Sequence, residues 1–175
     1  MFSFYASEGC RIEDQRGEVM ERMAAMVSLA VSADVVLLHE NEKAIYGAKP
    51  EGVKDLLAVM GPGRLKGIFD PANYVEEGVA PYDEAWCGGL AELTDYFHVK
   101  DKIPGQNTCV PAGDGSGQLA EIFADVPARG WSGFATLEPH LAKAGQFAGF
   151  TGRELFARAA EAFKRVCEEA GVEYN

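Results

Sequence analysis

Long apolar runs, paired cysteines and an excess of positive charge are all missing from this sequence, and each absence excludes a class of protein. No uninterrupted hydrophobic stretch approaches the ~20 residues that a membrane-spanning helix needs. Met1-Phe2-Ser3-Phe4-Tyr5 lacks the charged-then-apolar order of a secretory signal. The expectation is a cytoplasmic protein without a membrane partner. The four cysteines, Cys10, Cys87, Cys109 and Cys167, form no C-x-x-C pair, which argues against a zinc knuckle or a disulfide framework and leaves free thiols. Lys and Arg number 16 against 27 Asp and Glu, a formal net charge of −11. Such a chain repels phosphate backbones, and with no local basic patch nucleic acid is excluded as a partner.

What is present is the material of one globular α/β domain. The 175 residues are 47% hydrophobic and 25% charged, enough for a single core spanning residues 1–175. Short apolar runs alternate with longer segments of helical period, the pattern of βαβ units on a parallel sheet. Strands are expected at Phe2 to Ala6, Val35 to Glu40, Leu65 to Asp70, Tyr96 to Lys100 and Gly133 to Glu138. Between them, Val19, Met23, Met26, Val27 and Ala30 share one helical face, as do Val53, Leu56, Leu57 and Met60. Pro50 and Pro81 suit first helical turns, and Thr151-Gly152-Arg153-Glu154 has the form of a capping box. It would open a last helix whose inner face is Leu155, Ala159, Phe163 and Val166. The long irregular stretch from Asp101 to Gly117, rich in Gly, Pro and Asn, is of a length that usually serves function or moves.

The strand ends carry the chemistry. Val35-Val36-Leu37-Leu38 runs into His39-Glu40-Asn41, and Gly67-Ile68-Phe69 into Asp70-Pro71-Ala72-Asn73. Tyr96-Phe97 runs into His98-Val99-Lys100-Asp101, and Phe134-Ala135-Thr136-Leu137 into Glu138-Pro139-His140. In parallel α/β folds the carboxyl ends of the strands form the active face, so these residues converge on one patch. One acidic residue after a strand is as readily a helix N-cap. Four successive strand ends that each offer a metal donor are harder to assign to capping. Glu40, Asp70, His98 and Glu138 form a mixed oxygen and nitrogen set suited to Mn²⁺, Mg²⁺, Co²⁺ or Zn²⁺.

"LLHENEKAIYG", "FDPANYV", "HVKD" and "TLEPHL", in this order and spacing, resemble the sugar isomerase/epimerase superfamily of xylose-isomerase-like TIM barrels. The resemblance implies that Glu40, Asp70, His98 and Glu138 are the metal ligands. It also makes Glu40 and Glu138 the catalytic acid/base pair on opposite faces of a small-molecule sugar substrate. A bound ion would stabilise the enediolate formed when a glutamate takes the proton next to the carbonyl. Return of the proton to the same carbon from the other side epimerises, and return to the neighbouring carbon isomerises. His140, Lys100 and Asn73 are candidate substrate-binding groups, and Asn41 and Asp101 candidate supports of the ligands. For His140 and Lys100, a loop cap and a carboxylate pairing are equally good readings.

Two departures from the family pattern matter. Many relatives have a His where Asn73 stands. Family barrels also have eight βα units, and this chain corresponds to about the last five, with Phe2 to Ala6 as the fourth strand. The fold expected is therefore a partial TIM barrel, whose exposed edges and inner face predict completion by self-association as a homodimer. A non-catalytic remnant that binds metal without turnover is the alternative. A nuclease of the endonuclease IV type is disfavoured by the acidic charge and by too few His ligands. "GDGSGQL", residues 113 to 119, reads as a turn and helix start, since no Lys-Ser/Thr pair follows to make a phosphate cradle. Trp86, Trp131, Phe147 and Phe150 could stack on a sugar, with core packing the default for each.

Overall fold

The computed structural model describes residue 1, residues 3–144 and residues 147–174. Four parallel strands, β1 (Leu37–Glu40), β2 (Leu65–Phe69), β3 (Thr94–Val99) and β4 (Phe134–Leu137), form a sheet in chain order. Each lies inside or within two residues of its expected span. Helix α1 (Arg16–Ser32) precedes the sheet, α2 (Pro50–Met60), α3 (Pro71–Glu76) and α4 (Leu119–Asp125) lie between its strands, and α5 (Arg153–Ala170) follows it, with a wide-turned helical segment over Pro81–Leu90 that kinks at Gly89. A hairpin of β5 (Ala142–Ala144) and β6 (Phe147–Phe150) lies between β4 and α5 and was not anticipated from the sequence.

Val53, Leu56, Leu57 and Met60 of α2 are all buried, as their spacing demands, and Pro50 opens that helix. Each such burial is worth roughly 1.5–3 kcal/mol. In α1 the buried face is Val19, Met20, Met23 and Val27. Met26 is exposed, because residue 26 lies one position beyond the face that α1 turns toward the core. Helix α5 starts where expected, but Gly152 is its cap residue and no side chain caps it. The Thr151 hydroxyl instead accepts a hydrogen bond from the Leu141 N–H at 3.1 Å, tying the hairpin region to the helix start.

The expected first strand, Phe2 to Ala6, is not one: Phe2 lies outside the described residues, and Tyr5 makes an isolated antiparallel bridge to Ile45. Met1 nevertheless runs along β1. Its ammonium donates to the Leu38 carbonyl at 2.9 Å and its carbonyl accepts from the Glu40 N–H at 2.6 Å.

The outer face of the sheet holds the core. Phe69 and Phe97 meet Trp86 there, with ring centroids 5.5 Å from it in each case, and Phe97 also stacks near Phe123 and Trp131. Trp86 donates to Asp125 and Trp131 to the Thr94 carbonyl, each at 2.7 Å, so both indoles are structural and neither faces a sugar site. The side chains of Phe147 and Phe150 lie outside what is described. Among the described residues, no helix is long and apolar enough to cross a membrane.

Candidate metal centre

Strand register explains how residues a hundred positions apart share one patch. Glu40 pairs with Ile68, Ile68 with Tyr96, and Tyr96 with Phe134. Paired residues share a sheet face, and so do alternate residues along a strand. Asp70, His98 and Glu138 therefore project from the same face as Glu40, staggered toward the carboxyl edge. The β2–β3 register shifts at Gly67, where a Cβ would fall 2.4 Å from the Leu93 carbonyl oxygen; only glycine fits this approach. The four donor atoms of Glu40, Asp70, His98 and Glu138 lie within 4.8 Å of one another.

Asp70 divides its two carboxylate oxygens between a helix cap and the donor cluster. Its Oδ1 accepts from the Asn73 N–H at 3.1 Å and caps α3, whose first residue is Pro71. Its Oδ2 faces the donor cluster. Asn41 clamps the Asp70 backbone in both directions, donating from Nδ2 to the carbonyl at 2.9 Å and accepting from the N–H through Oδ1 at 2.8 Å. The end of β1 thus sets the position of the end of β2. The Asn73 amide donates to Glu40 Oε1 at 3.4 Å.

His98 Nδ1 stands 3.0 Å from Glu40 Oε1 and 3.7 Å from Glu138 Oε2. Lys100 Nζ stands 2.7 Å from Asp70 Oδ2 and donates to Glu138 Oε2 at 2.9 Å. The contacts at Asp70 Oδ2 and His98 Nδ1 are close charge pairings without hydrogen-bond directionality, and both atoms are buried without a hydrogen-bond partner. Buried polar atoms without partners are exceptions in folded proteins. Three carboxylates here face one lysine and one imidazole, and Asp70 Oδ2 is held by the Lys100 charge alone. That combination of hard oxygens with an imidazole fits a divalent ion.

The electrostatics follow from burial and pairing. Burial opposes the charge on Glu40, but the His98 contact and the Lys100 charge outweigh it and hold its carboxyl below the usual range. Asp70, fully buried, is pushed up to about 6 by desolvation, against the pull of Lys100. Desolvation disfavours the His98 imidazolium, and the neighbouring Glu40 more than compensates and raises it. Beyond the cluster, His140 Nε2 lies 3.6 Å from Glu138 Oε1, and burial lowers its pKa.

A cavity of about 250 Å³ adjoins this cluster, lined by Asn73, Lys100 and His140 together with Lys102, Asn107 and Cys109. The last three carried no signal in the sequence beyond membership of the long loop. The Asp101 carboxylate accepts from the N–H groups of Lys102, Gly113, Gly115 and Gly117 at 2.8–3.0 Å. The glycine-rich turn therefore does cradle an anion, and the anion is the chain's own Asp101. His39, next to Glu40, is wholly buried on the opposite sheet face, and burial lowers its pKa to about 4.

A parallel α/β sheet with a mixed oxygen and nitrogen donor cluster at its carboxyl edge is the arrangement of a partial α/β barrel with a candidate metal site. The sequence matches the family described as Xylose isomerase-like TIM barrel over residues 2–166, and the chain belongs to that family. No curated protein matches it. Among solved structures, a D-tagatose 3-epimerase-like protein is similar with a TM-score of 0.75 at 14% identity, over 95% of this chain and 60% of that one. The probable 3-DHS dehydratase AsbF from Bacillus anthracis gives 0.70 at 18% identity, over 93% of this chain and 61% of its own. A xylose isomerase-like TIM barrel protein from Mycobacterium smegmatis in complex with magnesium gives 0.67 at 14% identity, over 95% and 54%. At these identities the likeness establishes the fold. The chain spans less than two thirds of each of these structures.

Proposed function

We propose that the protein is a divalent-metal-dependent sugar isomerase or epimerase that moves a proton next to a carbonyl. The observation that carries this reading is the convergence of Glu40, Asp70, His98 and Glu138 on one sheet face with their donor atoms within 4.8 Å. These four would hold the ion, whose contribution is to stabilise negative charge developing on the substrate's carbonyl oxygen. Glu40 and Glu138 would remove and return the proton. Glu40, 10% exposed at its side chain, is kept ionised by His98 and oriented by Asn73, and Glu138, at 36%, is the more exposed of the two. Asn73, Lys100 and His140 line that cavity and would bind the substrate's oxygens, while the Asn41 clamp fixes the Asp70 carboxylate. The likeness to the D-tagatose 3-epimerase-like protein supports a sugar as substrate.

The test is interconversion of ketoses followed by polarimetry with added Mn²⁺. Turnover that needs metal and disappears in Glu138→Gln supports the proposal; absence of turnover in a protein that binds Mn²⁺ overturns it. That second result would instead establish a remnant that holds metal without catalysis. One observation favours that alternative: Phe134, on the same sheet face as the donors, is 73% exposed, and among the described strands β4 has a neighbour on one side only. We infer that a second copy of the chain covers this face. Light scattering that reports a well-folded monomer would refute the homodimer.

A further inference from the structure

We propose that Lys100 is a built-in competitor for the divalent cation: its ammonium takes up the oxygens of Asp70 and Glu138 that the ion needs, and must release them when the ion binds. The proposal rests on the metal-centre reading above and adds a control on occupancy to it. Lys100 follows His98 by two residues, so it projects from the same sheet face as the donors. It is 6% exposed, and its Nζ is shared between Asp70 Oδ2 at 2.7 Å and Glu138 Oε2 at 2.9 Å. Those two oxygens belong to the set whose members all lie within 4.8 Å of one another. An ion touching both would stand within a few ångströms of the ammonium, and two cations at that separation in a buried site repel strongly.

The surroundings give the displaced group somewhere to go. Lys100 borders the cavity of about 250 Å³ that Asn73, Cys109 and His140 also line. Asp70, for its part, cannot follow: Oδ1 is committed to the Asn73 N–H, and Asn41 clamps its backbone from both sides. The pair must therefore separate by movement of the flexible lysine. The consequence is a centre whose affinity is set below what its four donors alone would provide, and whose negative charge is partly offset without an ion.

The experiment compares wild type with Lys100→Met and Lys100→Gln, titrating each with MnCl₂ by calorimetry and recording thermal melts with and without Mn²⁺. Without metal, both variants should melt below wild type, because Asp70 loses its buried counter-charge. With metal, both should bind Mn²⁺ about tenfold or more tightly than wild type, the usual size of a coupling between two sites. The Mn²⁺-induced rise in Tm should be correspondingly larger. Equal or weaker Mn²⁺ affinity in folded variants overturns the proposal while leaving the metal centre standing. No Mn²⁺ binding by any of the three proteins removes the centre and the proposal together. Should a variant be unfolded without metal, Mn²⁺ must restore its circular dichroism for the proposal to stand; failure to do so overturns it.

Discussion

Two carboxylates one strand end apart, Asp70 and Asp101, are equally buried, at 0% and 1% exposure, and are answered by opposite chemistry. Asp101 is enclosed by four backbone N–H groups from its own loop, held at 2.8–3.0 Å. Asp70 spends one oxygen on a helix cap and turns the other toward a lysine ammonium and the donor cluster. Backbone donors are fixed by the fold and cannot exchange their acceptor. A side-chain ammonium can. Burial pushes the Asp101 carboxyl up while its four N–H donors pull it down, so both acids stay buried by different compensations. The difference separates a carboxylate that holds a loop in place from one whose second oxygen is held by a movable side chain.

The largest effect that tests this contrast is on stability. Asp101→Ala leaves four amide donors without their acceptor, in a loop whose path they define. Each buried donor left unsatisfied costs about 1–3 kcal/mol, and partial rehydration of the loop reduces the sum, so the expected loss is about 3–5 kcal/mol by urea denaturation. A loss below about 1 kcal/mol would show that Asp101 is not what orders residues 101–117. Next in size is Asp70→Asn. The amide oxygen keeps the cap for the Asn73 N–H, so the fold should persist with a smaller stability change than Asp101→Ala. Mn²⁺ affinity should fall by about 100-fold, because one of four donors loses its charge. The comparison breaks if Asp70→Asn loses as much stability as Asp101→Ala, or binds Mn²⁺ as wild type does.

How much of this was readable in the sequence depends on the range of the interaction. The donor residues were legible because each stands where an apolar run of strand length stops, and a parallel sheet sends all such ends to one edge. Helix α2 was legible from its four buried positions, which follow period 3.6 without exception. The partner of Asp101 was not, since nothing local links residue 101 to N–H groups twelve to sixteen positions on. Lys100 offered two readings, substrate contact and carboxylate pairing, and the structure pairs it with both Asp70 and Glu138. Thr151 shows the limit of short motifs: the capping-box spacing marked the start of α5, while its hydroxyl went to Leu141 in the hairpin. Tertiary competition for a side chain leaves no trace in a four-residue window.

A third carboxylate extends the comparison to the surface and carries the smallest expected effect. Asp55 receives a two-pronged contact from Arg16, with Nε and Nη2 each at 2.7 Å, and a further hydrogen bond from the Tyr46 hydroxyl. The geometry is as good as any in the molecule, yet Arg16 is 49% and Asp55 30% exposed at the side chain, so water and salt screen the pair. The Arg16 contact holds the Asp55 carboxyl below its ordinary 3.8, against a smaller opposing effect of burial. A depressed folded-state pKa contributes stability that is complete above the unfolded value and disappears as pH falls through the folded one. Asp55→Asn should therefore lower Tm only slightly at pH 7, with the gap to wild type closing as pH drops below 3.8 and shrinking in 1 M NaCl at neutral pH. A gap that persists unchanged at pH 3 and in high salt would mean that Asp55 acts through packing of Tyr46 and not through charge. The expected ordering, Asp101 first, Asp70 next and Asp55 last, then follows how far each carboxylate is removed from water and not how short its contacts are.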